Sequence, residues 1–171
     1  MKIVLLGYMA SGKSTVGKVL SQKTSTVFID LDAYIEKKEA LTIAELFATK
    51  GEVYFRIQEG RYLKEILASQ QDCVVSLGGG TPCYGDTMKM LLQAGITTIY
   101  LKASIRTLEN RLQSEKDTRP LVARLTKEKL TAYIGKHLFE RAPFYEQSNI
   151  KIQIDAKSIE EIIDEIETQL L

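Results

Sequence analysis

"GYMASGKST", residues 7–15, directly follows the apolar run "IVLL" (residues 3–6) and leads into the helical pattern "TVGKVLSQ" (residues 15–22). Gly7, Gly12, Lys13 and Ser14 satisfy G-x-x-x-x-G-K-[ST] in the context that pattern requires, a strand before it and a helix after it. Each part has a physical reason. Glycines let the backbone wrap closely, so that successive N–H groups point at phosphate oxygens. The helix that follows adds the positive end of its dipole. Lys13 is placed to reach the outer phosphates and the Ser14 hydroxyl to ligate Mg²⁺. An accidental glycine-rich turn is the alternative, and the strand–loop–helix context argues against it.

The chain around this loop has 171 residues, 44% hydrophobic and 26% charged, which suits a single domain spanning 1–171 with a real core. No apolar run approaches the roughly 18 residues of a membrane span, and the short apolar start is unlike a secretory leader. A cytoplasmic protein without membrane contact is the expectation. The net charge of +1 leaves no basic field for nucleic acid; runs such as "RLTKEK" (124–129) read as solvated helix faces. Cys73 lies in an apolar run and reads as a small buried hydrophobe. Cys83 follows a glycine run with no activating base nearby.

Strands are expected at 2–6, 26–29, 73–77, 97–101 and 150–154, each followed by helical spacing such as Ile105, Leu108 and Leu112. Thr42 with Glu45 and Ser158 with Glu161 match capping boxes; Asp86 and Ser104 suit N-caps, and Gly51 and Gly95 suit helix stops. The expected fold is α/β, a three-layer α/β/α arrangement around a five-stranded parallel sheet. Two inserts break the rhythm. Residues 32–60 hold two or more helices, and 113–124, "QSEKDTRPLVAR", is polar between two helices. Such inserts commonly carry a substrate site or a lid.

A phosphate loop alone does not name the acceptor. No N-K-x-D guanine-reading motif occurs, and the third strand runs into "SLGGG" rather than ending in an acidic residue. A small-molecule kinase fits best. Asp30 and Asp32 close strand two, at the carboxyl edge where parallel sheets bind ligands. Spaced by two, they are expected to project from the strand end on one side, although either could simply cap the following helix. Arg56 suits bidentate pairing with a carboxylate, or else a surface pair with Glu52 one turn earlier. The glycines 78–80 permit close backbone approach to a ligand, or serve only as a tight turn.

"FIDLD" (28–32), "FR" (55–56), "SLGGG" (76–80), "TRPL" (118–121) and "ERAPFY" (140–145) follow the phosphate loop in order. With it they resemble the shikimate kinase family over most of the chain. The resemblance implies a P-loop kinase fold like that of nucleoside monophosphate kinases, with 32–60 as substrate insert and 113–124 as lid. It implies ATP and Mg²⁺ as cofactors, and transfer of the γ-phosphoryl of ATP to the 3-hydroxyl of shikimate. Nucleotide contacts would come from Ala10, Ser11, Gly12, Lys13, Ser14, Thr15, Arg111 and Arg119, with Arg111 stacking on adenine. Asp32 would hold substrate hydroxyls and act as base, and Asp30 would orient water on the metal. Arg56 and Arg141 would clamp the carboxylate, and Gly79, flanked by Gly78 and Gly80, would contact the acid. Lys13, Asp32 and Arg119 form the expected catalytic set.

One departure stands in the loop itself. The family usually has glycine where this chain has Ala10, and a positive φ there would strain an alanine by about 1 kcal/mol. His137, the one histidine, belongs to no motif and reads as a solvated or half-buried helix residue. Two rivals remain: a gluconate-type kinase, whose substrate is also a polyhydroxy carboxylate, and a non-catalytic nucleotide-binding module, which would have no need of Asp32, Arg56, Arg119 and Arg141 together. A monomer is the default expectation.

Overall fold

The structure, a computed structural model, describes residues 1–114 and 125–170. Arg119, Pro120 and most of the expected lid therefore lie outside the described residues. The element order is β1 (Lys2–Leu6), α1 (Lys13–Lys23), β2 (Val27–Asp30), α2 (Leu31–Glu39), α3 (Ile43–Ala68), β3 (Cys73–Ser76), a 3₁₀ turn (Thr81–Cys83), α4 (Thr87–Gln93), β4 (Thr97–Lys102), α5 (Ile105–Ser114), α6 (Lys127–Tyr145), β5 (Ile150–Gln153) and α7 (Ile159–Leu170).

The five strands pair in parallel in the order β2-β3-β1-β4-β5, with Ile3 opposite both Val74 and Thr97. Strand alternation sends successive β1 side chains to opposite faces. Ile3 and Leu5 pack with Val16 and Leu20 of α1 and with α5, α6 and α7, whereas Val4 and Leu6 pack with α2, α3 and α4. Because both faces are covered, β1 is apolar at every buried position, as its sequence suggested. At the edge, β5 reverts to alternation, with Ile150 and Ile152 buried and Lys151 and Gln153 exposed.

Local signals account for most boundaries. Thr42 and Glu45 form a reciprocal capping box on α3, and Ser158 and Glu161 form another before α7. Gly51 has φ 84° and ψ 168°, so it breaks α3 into two segments. Gly95, at φ 66°, ends α4 with its N–H on Leu92 O and that of Ile96 on Leu91 O, both at 3.1 Å. Asp86 occupies the N-cap of α4, but its side chain makes no capping bond.

The connection that leaves β1, helix α1, lies on one face of the sheet, and the one that leaves β3, helix α4, lies on the other. The carboxyl ends of these two neighbouring strands therefore open a crevice, the place where open parallel sheets bind ligands. The phosphate-loop sequence leaves β1 there, and the three glycines leave β3.

Candidate active site

The loop after β1 is closely wound. A Cβ on Gly7, at φ 148°, would lie 2.8 Å from Leu101 O and 2.9 Å from Ser11 Oγ, so only glycine fits. Gly12, at φ 89°, is the N-cap of α1. Lys13 Nζ donates to Gly7 O at 3.0 Å and Tyr8 O at 2.9 Å, which folds the ammonium back over the loop. Ala10 has φ 62°, the left-handed conformation that disfavours a Cβ. Its carbonyl accepts from Arg111 Nη1 at 3.0 Å, tying α5 to the loop.

Ser14 Oγ donates to Asp30 Oδ2 at 2.9 Å. Asp30 also caps α2, its Oδ1 accepting from Ala33 N at 3.2 Å. Asp30 is thus the cap of the helix, while its other carboxylate oxygen turns to the phosphate-loop serine. Asp32 reaches the cleft differently from expectation: helix α2 begins at Leu31, so Asp32 projects from its first turn rather than by strand alternation. Burial, with Asp30 and Glu59 adding to it and Lys13 opposing, pushes the Asp32 carboxyl up to about 6.

These groups line a cleft of about 520 Å³ that includes Ala10, Gly12, Lys13, Ser14, Thr15 and Arg111. Ser11 does not line it; the residue is 1% exposed, and its N–H turns back to Tyr8 O at 3.2 Å. The donor set suits Mg²⁺, which takes hard oxygen ligands at near-ideal octahedral geometry and keeps several waters. Ser14 Oγ and the Asp30 carboxylate provide such oxygens side by side. Among the described residues no cluster of three or more His, Cys, Asp or Glu forms a separate metal cage.

A second cavity of about 190 Å³ adjoins the first and is lined by Arg56, Glu59, Gly80 and Arg141 among others. The two share Met9, Asp32, Gly78 and Gly79 as a common wall. None of the three glycines has positive φ, so their freedom of conformation is not what the site uses. Space is. A Cβ on Gly78 would lie 3.1 Å from Asp32 Oδ1, on Gly79 3.3 Å from Arg141 Nη1, and on Gly80 2.8 Å from Arg56 Nη2. Each missing side chain is filled by a polar group of the site.

Arg56 is held on several sides. Its Nη1 bonds Glu59 Oε2 at 2.8 Å, its guanidinium lies 3.9 Å from the Tyr84 ring centroid, and Glu52 stands 3.7 Å from Nε. Burial alone would lower the Arg56 pKa, but the Glu59 bond holds it above its ordinary value. Glu59, 3% exposed, takes its other hydrogen bond from Thr81 Oγ1 at 2.6 Å. Glu59 was not picked out from sequence; an acidic residue three positions after an arginine on a helix is the signal that could have found it. Tyr145, fully buried on α6, donates to Gly79 O and so fixes the glycine peptide from behind. Cys73 is buried as expected, and the half-buried Cys83 thiol is pushed up to about 11 by burial, an inert setting.

Comparison with known proteins is consistent along the whole chain. The family model described as shikimate kinase matches residues 9–171. A shikimate kinase of Flavobacterium johnsoniae is 45% identical over 165 residues, 96% of either chain. The crystal structure of shikimate kinase from Bacteroides thetaiotaomicron aligns with a TM-score of 0.92 at 34% identity, covering 99% of this chain and 98% of that one. The structure of shikimate kinase from Acinetobacter baumannii in complex with shikimate aligns with a TM-score of 0.86 at 28% identity, covering 99% of this chain and 92% of that one.

Proposed function

Because the chain belongs to the shikimate kinase family, we infer that it transfers the γ-phosphoryl group of MgATP to the 3-hydroxyl of shikimate, giving shikimate 3-phosphate and ADP on the route to chorismate and the aromatic amino acids. One observation carries the reading in this chain: a phosphate-loop cleft and a cavity lined by two arginines meet at Met9, Asp32, Gly78 and Gly79. A donor phosphate and a polyhydroxy acid could meet across that wall.

The roles proposed for the residues follow from this placement. The N–H groups of the loop and Lys13 bind the β- and γ-phosphates. Ser14 would hold Mg²⁺ directly and Asp30 would hold it through water. When bound, that ion offsets the negative charge of the transferring group. Arg56 and Arg141 grip the acid's carboxylate, and the backbone at Gly78–Gly80 approaches its ring. Asp32 accepts hydroxyl hydrogen bonds and takes the proton of the attacking 3-hydroxyl. The new O–P bond forms as the bond from the γ-phosphorus to the β,γ-bridging oxygen breaks, and ADP leaves. Such transition states are loose, so positioning outweighs base strength. A carboxylate poised near neutrality is adequate for the proton.

Residues 32–60 act as the acceptor-binding insert, a reading supported by Asp32, Arg56 and Glu59 all coming from it. Arg111 flanks the adenine, and Arg119 closes over the phosphates from the lid, by family resemblance. The ATP requirement supports a cytoplasmic setting, and a monomer is the state we propose for a chain of 171 residues. The test is ADP release from MgATP with shikimate, gluconate or no acceptor. Shikimate-dependent release is expected; equal release with gluconate would move the acceptor assignment.

A further inference from the structure

His137 and Tyr8 join two parts of the site that lie 129 residues apart in sequence. Tyr8 is the first residue after Gly7 in the phosphate loop and is 1% exposed. Its hydroxyl lies 3.1 Å from His137 Nδ1 on α6. Tyr133, one turn earlier on α6, meets the imidazole edge-on with ring centroids 4.2 Å apart. Arg141, one turn later, sets its guanidinium 5.6 Å from the centroid of the Tyr8 ring. The same tyrosine's backbone carbonyl carries Lys13 Nζ at 2.9 Å. Tyr8 is therefore the residue on which both the phosphate lysine and one acid-binding arginine rest.

We propose that His137 and the Tyr8 hydroxyl are positioning residues for the acceptor: their hydrogen bond fixes the Tyr8 ring as the platform under Arg141, and so sets the arginine for the acid's carboxylate. Burial keeps the Tyr8 phenol protonated, so it has a proton to donate. An unprotonated Nδ1 accepts it, which leaves the imidazole proton on Nε2. Burial, with Arg141 beside it, favours the neutral imidazole this requires. An arginine at this distance from an aromatic face gains from the ring quadrupole only while the ring keeps its orientation. With the hydroxyl untethered, packing alone holds the ring, and the guanidinium keeps its bond to Tyr145 but loses a fixed ring face beneath it.

This inference rests on the shikimate kinase reading and is tested on the full chain with Tyr8→Phe, His137→Ala, His137→Asn and the Tyr8→Phe/His137→Ala double variant. Tyr8→Phe keeps the packing, and the Oδ1 of asparagine can stand near the place of Nδ1. The measurements are kcat, KM for shikimate, KM for ATP and the thermal midpoint. Tyr8→Phe and His137→Ala should each raise the shikimate KM by about two- to tenfold, the effect of one hydrogen bond, with kcat and the ATP KM little changed. The double variant should be no worse than the weaker single one, and His137→Asn should recover most of the loss. A lower thermal midpoint with an unaltered shikimate KM in Tyr8→Phe would overturn the proposal and leave the pair a stability contact. Absence of shikimate-dependent turnover in the unaltered enzyme would instead overturn the function on which it rests.

Discussion

Glu59 Oε2 accepts from Arg56 Nη1 at 2.8 Å while Glu59 itself is 3% exposed, so the arginine that faces the acid cavity is anchored from the protein side. Removing one partner of a buried pair leaves an uncompensated charge. Glu59→Ala should therefore lower stability by about 3 kcal/mol. It should also raise the shikimate KM roughly tenfold, as expected when a charged hydrogen bond is mis-set. Denaturant unfolding and steady-state kinetics check the two effects. A normal KM would show that Arg56 holds its place without the glutamate.

Asp32 combines function with a cost in stability. Its carboxyl is raised to about 6, by burial first. The base form then appears as pH rises through 6, so kcat/KM should fall on the acid side with an apparent pKa near that value. For stability the sign is opposite to that of a salt-bridged carboxylate. The native state binds the proton more tightly than the unfolded chain, so the group weakens the fold above about pH 6 and the penalty fades toward pH 4. Asp32→Asn should cut kcat by about 10² or more and stabilise the protein at pH 7 by about 1–3 kcal/mol. A destabilised variant would mean the carboxylate is better solvated than its surroundings suggest.

Ala10 at φ 62° carries the strain expected when this position lacks glycine. Ala10→Gly removes a left-handed penalty of about 1–2 kcal/mol but returns some entropy to the unfolded chain. The net should be a gain of about 0.5–1 kcal/mol, with the ATP KM within about twofold because the backbone cradle keeps its shape. Thermal unfolding of the two proteins decides the matter.

Arg141 and Arg119, proposed for the acid and for the transferring phosphoryl respectively, should separate kinetically. Arg141→Ala should chiefly raise the shikimate KM, since its guanidinium lies against Gly79 in the acid cavity. Arg119→Ala should depress kcat more than it weakens acid binding, as loss of a group that acts on the transferring phosphoryl would. The reverse pattern would exchange their assignments.

What the sequence made legible was local. The loop at residues 7–15, the twice-covered strand β1, the Thr42/Glu45 capping box and the stops at Gly51 and Gly95 each depend on residues close in the chain. The glycines 78–80 were read as giving close approach or a tight turn. They do form a turn, with Thr81 N–H on Gly78 O at 3.1 Å, and the polar side chains crowding each missing Cβ add a second reason for glycine there. Asp32 was placed in the right cleft for the wrong reason, because either aspartate suits an N-cap and only the structure shows that Asp30 takes that place and starts the helix at Leu31. Glu59 looked like one more helical acid until Thr81, 22 residues away, supplied its second partner. The Tyr8–His137 bond was invisible, since Tyr8 fills a variable position of the loop pattern, His137 belongs to no motif, and only the tertiary fold brings α6 against the loop.

The most direct test of the account is ADP release from MgATP by the purified protein, measured with shikimate, with gluconate and with no acceptor. The account predicts turnover that saturates with shikimate and stays near the acceptor-free background with gluconate. ATP binding without shikimate-dependent turnover would contradict it, leaving the phosphate loop rightly read and the acceptor wrongly assigned.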